Sequence, residues 1–401
     1  MTTTINNEHK KLNVPNLRFP EFQGKWEVES IKDVADFMGG GTPSSSNESF
    51  WQGTIPWVSS SDIVENDIKN ISISRYITEE AIAHSATKLC PAPSILIVSR
   101  VGVGKIALSK EAICTSQDFC NLINIKVEPI FLTYCLSQIM KRKSMEVQGT
   151  SIKGITTSEI QKISINIPSL REQKKIGKIL SLLDERIATQ NKIIEDLKKL
   201  KSAIIEKHYR QAEKQTVCIA DLGEHFSVGN LAKDDLSETG TPCILYGELF
   251  TTYGETISQI ESRTNKTGGM VLSKKGDLLF PSSTTVDAVS LIAPSVINID
   301  NVVLGGDMFG IHINSNFDAQ YLSYFFNHIA KRRLAKYAKG STIIHLHYAD
   351  IEKAKLLLPC LKEQHRMAKC LVSLDNKINV ETLSLNLLNN QKTYLLRHMF
   401  I

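Results

Sequence analysis

The sequence predicts an α+β protein: two similar mixed α/β modules in tandem pseudo-repeat, separated by two long helices that pair antiparallel as a coiled coil. Three observations lead there. The second half of the 401-residue chain repeats the first at a constant shift of 191 positions, the distance from Gly149 to Gly340. Behind each copy of the repeat's best-preserved block runs a proline-free heptad ladder, and ahead of it short β-type runs alternate with single helices.

The repeat is carried by Gly149-Thr150-Ser151-Ile152 and Gly340-Ser341-Thr342-Ile343, Ile160 and Ile351, and Pro168 and Pro359. Leu170-Arg171-Glu172-Gln173 returns as Leu361-Lys362-Glu363-Gln364, and Leu183-Asp184 as Leu374-Asp375. Weaker matches join the module starts, with Trp26, Val28, Ile31 and Asp33 facing Val217, Ile219, Leu222 and Glu224. The expected division is an N-terminal segment (1–25), a first module (26–168), a central helix (169–211), a second module (212–359) and a C-terminal helix (360–401). A chain of this length can bury one core per module.

In the first module the strand candidates are Ile95 to Ser99, Leu122 to Ile125 and the alternating run Ile163 to Ile167, with a helix at Phe131 to Lys143. In the second they are Asp277 to Phe280, Met308 to Ile313 and Leu356 to Leu358, with a helix at Phe317 to Ala338. Pro168 and Pro359 close the last strands, where a fixed φ lets the chain turn into a helix. The loop Gly39-Gly40-Gly41-Thr42-Pro43-Ser44-Ser45-Ser46 has no good match in the second module. A shared scaffold with divergent loops implies two specificities on one frame.

The first ladder reads Ile176, Leu180, Leu183, Ile187, Gln190, Ile194, Leu197, Lys201, Ile204, His208, and the second Met367, Leu371, Leu374, Ile378, Glu381, Leu385, Leu388, Lys392, Leu395, Met399. Even the polar interruptions coincide. Each helix is expected to run roughly 35 residues, or about 50 Å. A narrow apolar stripe of that length needs a partner helix, and the two ladders supply each other. A two-fold relation between the halves makes the pair antiparallel. A two-fold binder suits a two-fold target, of which duplex DNA is the commonest.

Net charge is +5, and residues 171–214 alone hold 12 Lys/Arg against 7 Asp/Glu, a surplus as large as that of the whole chain. This agrees with a nucleic-acid partner, although a solvated helical face has the same composition. With 42% hydrophobic and 22% charged residues the chain reads as an ordinary globular protein. No apolar run approaches the roughly 18 residues of a membrane span, and the opening stretch lacks an apolar h-region, so a cytoplasmic protein is expected. The eight cysteines form no C-x-x-C pair, which argues against zinc and against a disulfide framework. His345-Leu346-His347 lacks further ligands at metal spacing, so no metal site is expected.

The chain resembles the specificity (S) subunits of type I restriction-modification systems. The resemblance covers essentially all of it. It is carried by Val14 to Phe22 followed by Trp26-Glu27, by Gly39-Gly40-Gly41-Thr42-Pro43, Ile55-Pro56-Trp57-Val58 and Leu96-Ile97-Val98-Ser99-Arg100. The block Ile167 to Gln173, degenerate at Leu358 to Gln364, completes it by opening a long helix twice. The resemblance implies two target recognition domains, each reading one half of a split DNA target, with the helices as a ruler that docks two methyltransferase (M) subunits. Restriction/translocase (R) subunits join that core. The chain itself binds no cofactor on this reading, and S-adenosylmethionine, ATP and Mg2+ belong to the partner subunits. Other readings are the recognition subunit of a methylation-only or phage-exclusion assembly, and a coiled-coil adaptor with no DNA role.

Candidate DNA contacts follow from side-chain chemistry. Thr150, Ser151 and Lys153 in one turn, and Lys339, Ser341 and Thr342 in its copy, suit phosphate oxygens, with His345 beside them. For base edges the first-module candidates are Gly40, Thr42 and Ser44, then Ser59, Ser60 and Ser61 with Asp62, and Arg100 and Gln117, since Arg pairs with guanine and Gln with adenine, and Lys105 is a further candidate for DNA contact. In the second module they are Tyr246, Ser282, Ser283 and Thr284. Each stretch also has the composition of a plain surface loop. Arg100-Val101-Gly102-Val103-Gly104-Lys105 fails as a phosphate loop, because Ser99 stands at the first Gly position and Ile106 where a metal-binding Ser or Thr belongs. With no Asn/Asp-Pro-Pro-Tyr/Phe segment, Ser-His-Asp ordering or paired carboxylates either, no catalytic role is expected. Trp26 and Trp57 are read as core, with Trp51 the most exposed of the three tryptophans.

Overall fold

The computed structural model describes residues 13–148 and 154–401. The chain divides into two compact units, one formed by residues up to Asn191 with Leu383–Ile401, the other by Lys192–Thr382. Each long helix is therefore divided between the two units. The helices are α2 (Leu170–Gln211) and α3 (Leu361–His398), 42 and 38 residues long. Both exceed the expected 35.

In the first unit, Ser94–Val98 is the central strand of a four-stranded antiparallel sheet, ordered Asp36–Gly39, Phe119–Ile123, Ser94–Val98, Ile106–Ser109. All five of its residues are buried, as an unbroken apolar run demands when both faces of a strand are covered. Its alternation divides two cores. Ile95 and Ile97 pack toward helix α1 (Pro129–Gln148), with Phe131 and Leu136, while Leu96 and Val98 pack with Val58, Ile63 and Phe119. A second sheet, ordered Arg75–Ile77, Ile55–Val58, Ile113–Thr115, Leu89–Cys90, covers that smaller core. Residues after Lys105 form a strand, as the missing helical periodicity implied.

The second unit repeats this plan. Its central strand, Asp277–Pro281, sits in a five-stranded sheet between Met308–Ile313 and Ser295–Ile297. Leu278 and Phe280 face one core and Leu279 the other. The helix expected at Phe317 to Ala338 is broken into Ala319–Phe325, a π-turn at Phe326–Ala330, a short helix at Lys331–Leu334 and a 3-10 turn. The slip falls where Asn327 Nδ2 donates to the carbonyls of Ser323 (2.9 Å) and Pro294 (2.8 Å), a side chain inserted into the helical ladder.

In both units the strand before a long helix pairs with the strand that opens the unit: Ser164–Ile167 with Glu27–Ser30, and Lys355–Pro359 with Lys214–Cys218. The repeated glutamine explains how the helices start. Gln173 Nε2 donates to the Pro168 carbonyl (2.8 Å) and its Oε1 accepts from Glu128 N (2.9 Å). Gln364 does the same with Pro359 (2.8 Å) and Asp318 N (3.0 Å). Both side chains are buried, so each tethers a long helix to the loop leading into the preceding one.

The helices pack antiparallel, and two of the polar interruptions of the ladders, Lys201 and Lys392, cross between them. In the first unit Lys392 reaches Asp184 (2.6 Å), and in the second Lys201 reaches Asp375 (2.7 Å). Tyr134 and Tyr324 donate to the same two carboxylates, at 2.6 and 2.5 Å. Burial, then the adjacent carboxylate, pushes both phenols well above their usual range. Of the ladder positions Ile176, Leu180, Leu183, Ile194, Leu371, Ile378 and Leu388 are buried, and Ile187, Leu197, Ile204, Leu374, Leu385 and Leu395 half-buried. Beside Ile204, Ile205 is the more deeply buried and belongs to the second unit's core, against which Ile204 also packs.

The start and end of the described chain meet in the first unit. Leu17 N donates to the His398 carbonyl (2.8 Å), Phe400 packs on Phe131 at 5.4 Å, and Arg18 makes a two-bonded pair with buried Glu172.

Lys201 is 7% exposed and also pairs with Glu255 at 3.1 Å. Burial acts to raise the Glu255 carboxyl, but the bond to His328 and the Lys201 charge outweigh it and hold the group at about 2. Lys201→Ala leaves two partly buried carboxylates without their cation, so it is expected to destabilise the second unit by about 3 kcal/mol. Urea melting of the variant would measure this, and a loss under about 1 kcal/mol would show the pair to be worth no more than an exposed one.

Candidate nucleic-acid interface

The two units present their loops from the same frame. Leaving the central strand, the chain is pinned at Ser99 in the first unit and Ser282 in the second. Ser99 N donates to the Asp118 carbonyl (2.8 Å) and its own carbonyl accepts from Ile155 N (2.7 Å). Ser282 N donates to Asp307 (2.8 Å) and its carbonyl accepts from Leu346 N (2.9 Å). Ile155 and Leu346 are 191 positions apart, so the pin belongs to the repeat. The residues that follow it diverge: Arg100 to Lys105 in one unit, Ser283 to Val286 in the other.

Around the first pin the loop Gly39 to Ser46 is held by close backbone contacts. Gly41 N donates to Thr115 O (2.8 Å), and Trp57 Nε1 to Gly41 O (2.9 Å). A Cβ on Gly40 would lie 2.0 Å from Ser116 O, and one on Gly41 2.4 Å from Ala86, which is why these two positions are glycine. Thr42 and Gln117, both exposed, are hydrogen-bonded side chain to side chain. Trp51 is half-buried, donating to Ser44 O (3.1 Å) and set edge-on to Trp57 at 5.0 Å. Trp26 and Trp57 are core residues.

Asp62 organises the serine turn. It accepts from Ser59 N (2.7 Å) and pairs with Arg75, which also donates to Ser59 Oγ (2.7 Å) and lies 4.6 Å over Trp57. Arg75 was not among the sequence candidates, because its position beside this turn depends on the pairing of Arg75–Ile77 with Ile55–Val58. Ser61 is exposed and Ser60 half-buried, while Lys105 Nζ donates to Ser60 O (3.1 Å) and so binds the turn within the chain. Arg100 is exposed. Thr150, Ser151 and Lys153 lie outside the described residues.

In the second unit, Ser283 and Thr284 pair with Ile344 and His345 in a two-stranded ladder, Ser283 opposite His345. Ser282 and Ser283 are buried, which withdraws both side chains from the surface and leaves Thr284 half-buried, with Thr285 and Val286 exposed. Tyr246, Ser283, Thr284 and His345 all line one groove, together with Phe250 and Lys331, which sequence reasoning missed. Ser341 and Thr342 are exposed in the adjoining turn, where Gly340 takes φ +118° and a Cβ would strike Ile343 O at 2.0 Å. This accounts for the glycine of the second unit's Gly-Ser-Thr turn. Lys339 reaches Asp350 at 2.5 Å. His345 and His347 stack at 6.1 Å.

Among the described residues no group of three or more His, Cys, Asp or Glu side chains is placed to hold a metal ion. Burial raises the thiols of Cys90 to about 11 and of Cys114 and Cys135 to about 12, the opposite of an activated nucleophile. Among the described residues no helix is long and apolar enough to cross a membrane.

Taken together, the repeated frame, the divergent loops and the paired helices define a tandem two-module recognition protein. The family model for the type I restriction modification DNA specificity domain matches twice, over residues 23–199 and 211–390, and the chain belongs to that family. It is 26% identical to the type I restriction enzyme MjaVIII specificity subunit of Methanocaldococcus jannaschii, over 91% of this chain and 89% of that one. The MjaIX specificity subunit of the same organism is 33% identical and the EcoR124I/EcoR124II specificity subunit of Escherichia coli 32%. Those two matches span 44% and 46% of this chain and less than half of each relative, 41% and 47%. In fold, the chain is similar to the crystal structure of the S subunit from M. genitalium, with a TM-score of 0.64 at 17% identity, over 97% of this chain and 99% of that one. A chain from a structure of type I system complex assembly follows at 0.55 and 16%, covering 92% and 96%.

Proposed function

We propose that this chain is the DNA-reading subunit of a type I restriction-modification assembly, in which each unit reads one half of a split duplex target. The observation that carries this reading is the pin at Ser99 and Ser282, one frame that delivers two unlike loops. Thr42, Ser44, Ser61, Arg100 and Gln117 in the first unit, and Tyr246, Thr284 and His345 in the second, are the groups assigned to base edges. The exposed Ser341-Thr342 turn, and its counterpart at Thr150-Ser151, are assigned to phosphates, which position a protein without reading sequence. The long helices dock two methyltransferase subunits, and restriction subunits complete the assembly. S-adenosylmethionine, ATP and Mg2+ act on those partners.

Purified free of partners, the chain is expected to show no methyltransferase, nuclease or ATPase turnover. With the cognate methyltransferase subunit it is expected to bind one split target about a thousandfold or more above random duplex. Turnover that survives removal of every partner would overturn the first expectation. Equal affinity for all duplexes would favour an adaptor without a reading role.

A further inference from the structure

The groove of the second unit carries two large apolar side chains where a polar rim is expected. Val286 is 74% exposed and Ile343 49%. Single exposed aliphatics need no explanation. These two, however, stand together at the open end of the ladder that pairs Ser283 with His345 and Thr284 with Ile344, whose next step would set Thr285 opposite Ile343. Both line the same groove as Tyr246 and Phe250. Both are β-branched, so each presents a stiff methyl surface with little rotamer freedom to lose on contact.

The charge beside them indicates what covers them. Lys331 lines the groove, and Arg332, Arg333 and Lys336 follow it in the same short helical stretch. Among the described residues none of the four has a carboxylate at ion-pair distance. The carboxylates of the groove are already engaged: Glu255 with Lys201 and His328, and Asp307 with His345 at 3.9 Å. An apolar pair sharing a groove with the Lys331 cation, which also acts on the neighbouring Asp287 carboxylate, is complementary to a duplex edge, where a thymine methyl lies in the major groove between rows of phosphates.

We propose that Val286 and Ile343 read a thymine in the second unit's half-site through its 5-methyl group, while Lys331 and its neighbours bind the flanking phosphates. The assignment rests on the DNA-reading function proposed above. It is tested on the assembly with methyltransferase subunits, using duplexes that carry the target found in the wild-type methylome. Thymines of the second half-site are replaced one at a time by deoxyuridine, which removes the methyl and nothing else. One position is expected to lose about fourfold in affinity, the worth of one buried methyl group. The double variant Val286→Ser/Ile343→Ser is expected to lose that discrimination and to relax the methylome at the same position, with the first half-site unchanged. Lys331→Gln/Arg332→Gln/Arg333→Gln is expected to flatten the salt dependence of binding without changing the motif. Wild-type affinity indifferent to every deoxyuridine, or an unaltered motif and methyl preference in the double variant, would overturn the assignment. A wild-type assembly with no preferred split target would instead overturn the function on which it rests.

Discussion

Replacing residues 26–168 with the equivalent region of a relative is expected to change one half of the methylated target and leave the other as it was. These residues hold both sheets of the first unit and every described candidate loop on it. The tethers that must survive the exchange include the Glu128 amide and Pro168 carbonyl that hold Gln173, Tyr134 against Asp184, Lys69, which donates to the Ser181 carbonyl (2.9 Å) and pairs with Glu185 (2.8 Å), the Asn66 carbonyl that accepts from Lys392 Nζ (3.1 Å), and Trp26, whose carbonyl accepts from Asn13 Nδ2 (2.7 Å). A donor with a Tyr at the place of Tyr134 and a Lys at the place of Lys69 keeps the side-chain tethers, and the others come from its backbone. Each mismatched base pair costs about 1–3 kcal/mol, so a half-site of three or four positions is exchanged almost completely. Methylome sequencing reads the result directly. If both halves of the motif changed together, one unit could not be reading one half.

Lengthening α2 by one heptad beside Gln190 is expected to lengthen the unread spacer between half-sites. The helix passes from the first unit to the second at Asn191 and Lys192. Seven residues preserve the a/d register and add about 10 Å, or roughly three base pairs of duplex. The ion pairs Asp184–Lys392 and Lys201–Asp375 lie on either side of the insertion, each inside its own unit, so the added heptad falls between them. Because α3 stays at its original length, bending absorbs part of the change. The expected result is a spacer longer by about one to three base pairs, with both half-site sequences intact. A folded, active insertion variant that methylates at the original spacing would count against the helices as a ruler.

Much of this architecture is written locally in the chain. The duplication is visible in residues such as Gln173 and Gln364 because both copies do the same backbone work. The long helices are legible because a heptad seam is a short-range pattern, and the strands at 94–98 and 277–281 because a run buried on both faces must be apolar throughout. The divergence of loops over a common frame could be read as well, since it needs only comparison of the two halves.

What joins those elements could not be read this way. Lys201 and Lys392 look like flaws in an apolar seam until the antiparallel pairing sets each against a carboxylate 174 or 208 positions away. Ser282 and Ser283 have the composition of an exposed loop, and only the ladder to Ile344 and His345 buries them. Arg75 reaches Asp62 through strand pairing, and Val286 and Ile343 share one groove although 57 residues separate them. Periodicity and turn chemistry act over a few residues, so the sequence by itself determined which segments are helix, strand and variable loop. Which charges neutralise one another, and which side chains face outward together, depends on long-range packing and register, and that only the tertiary structure decided.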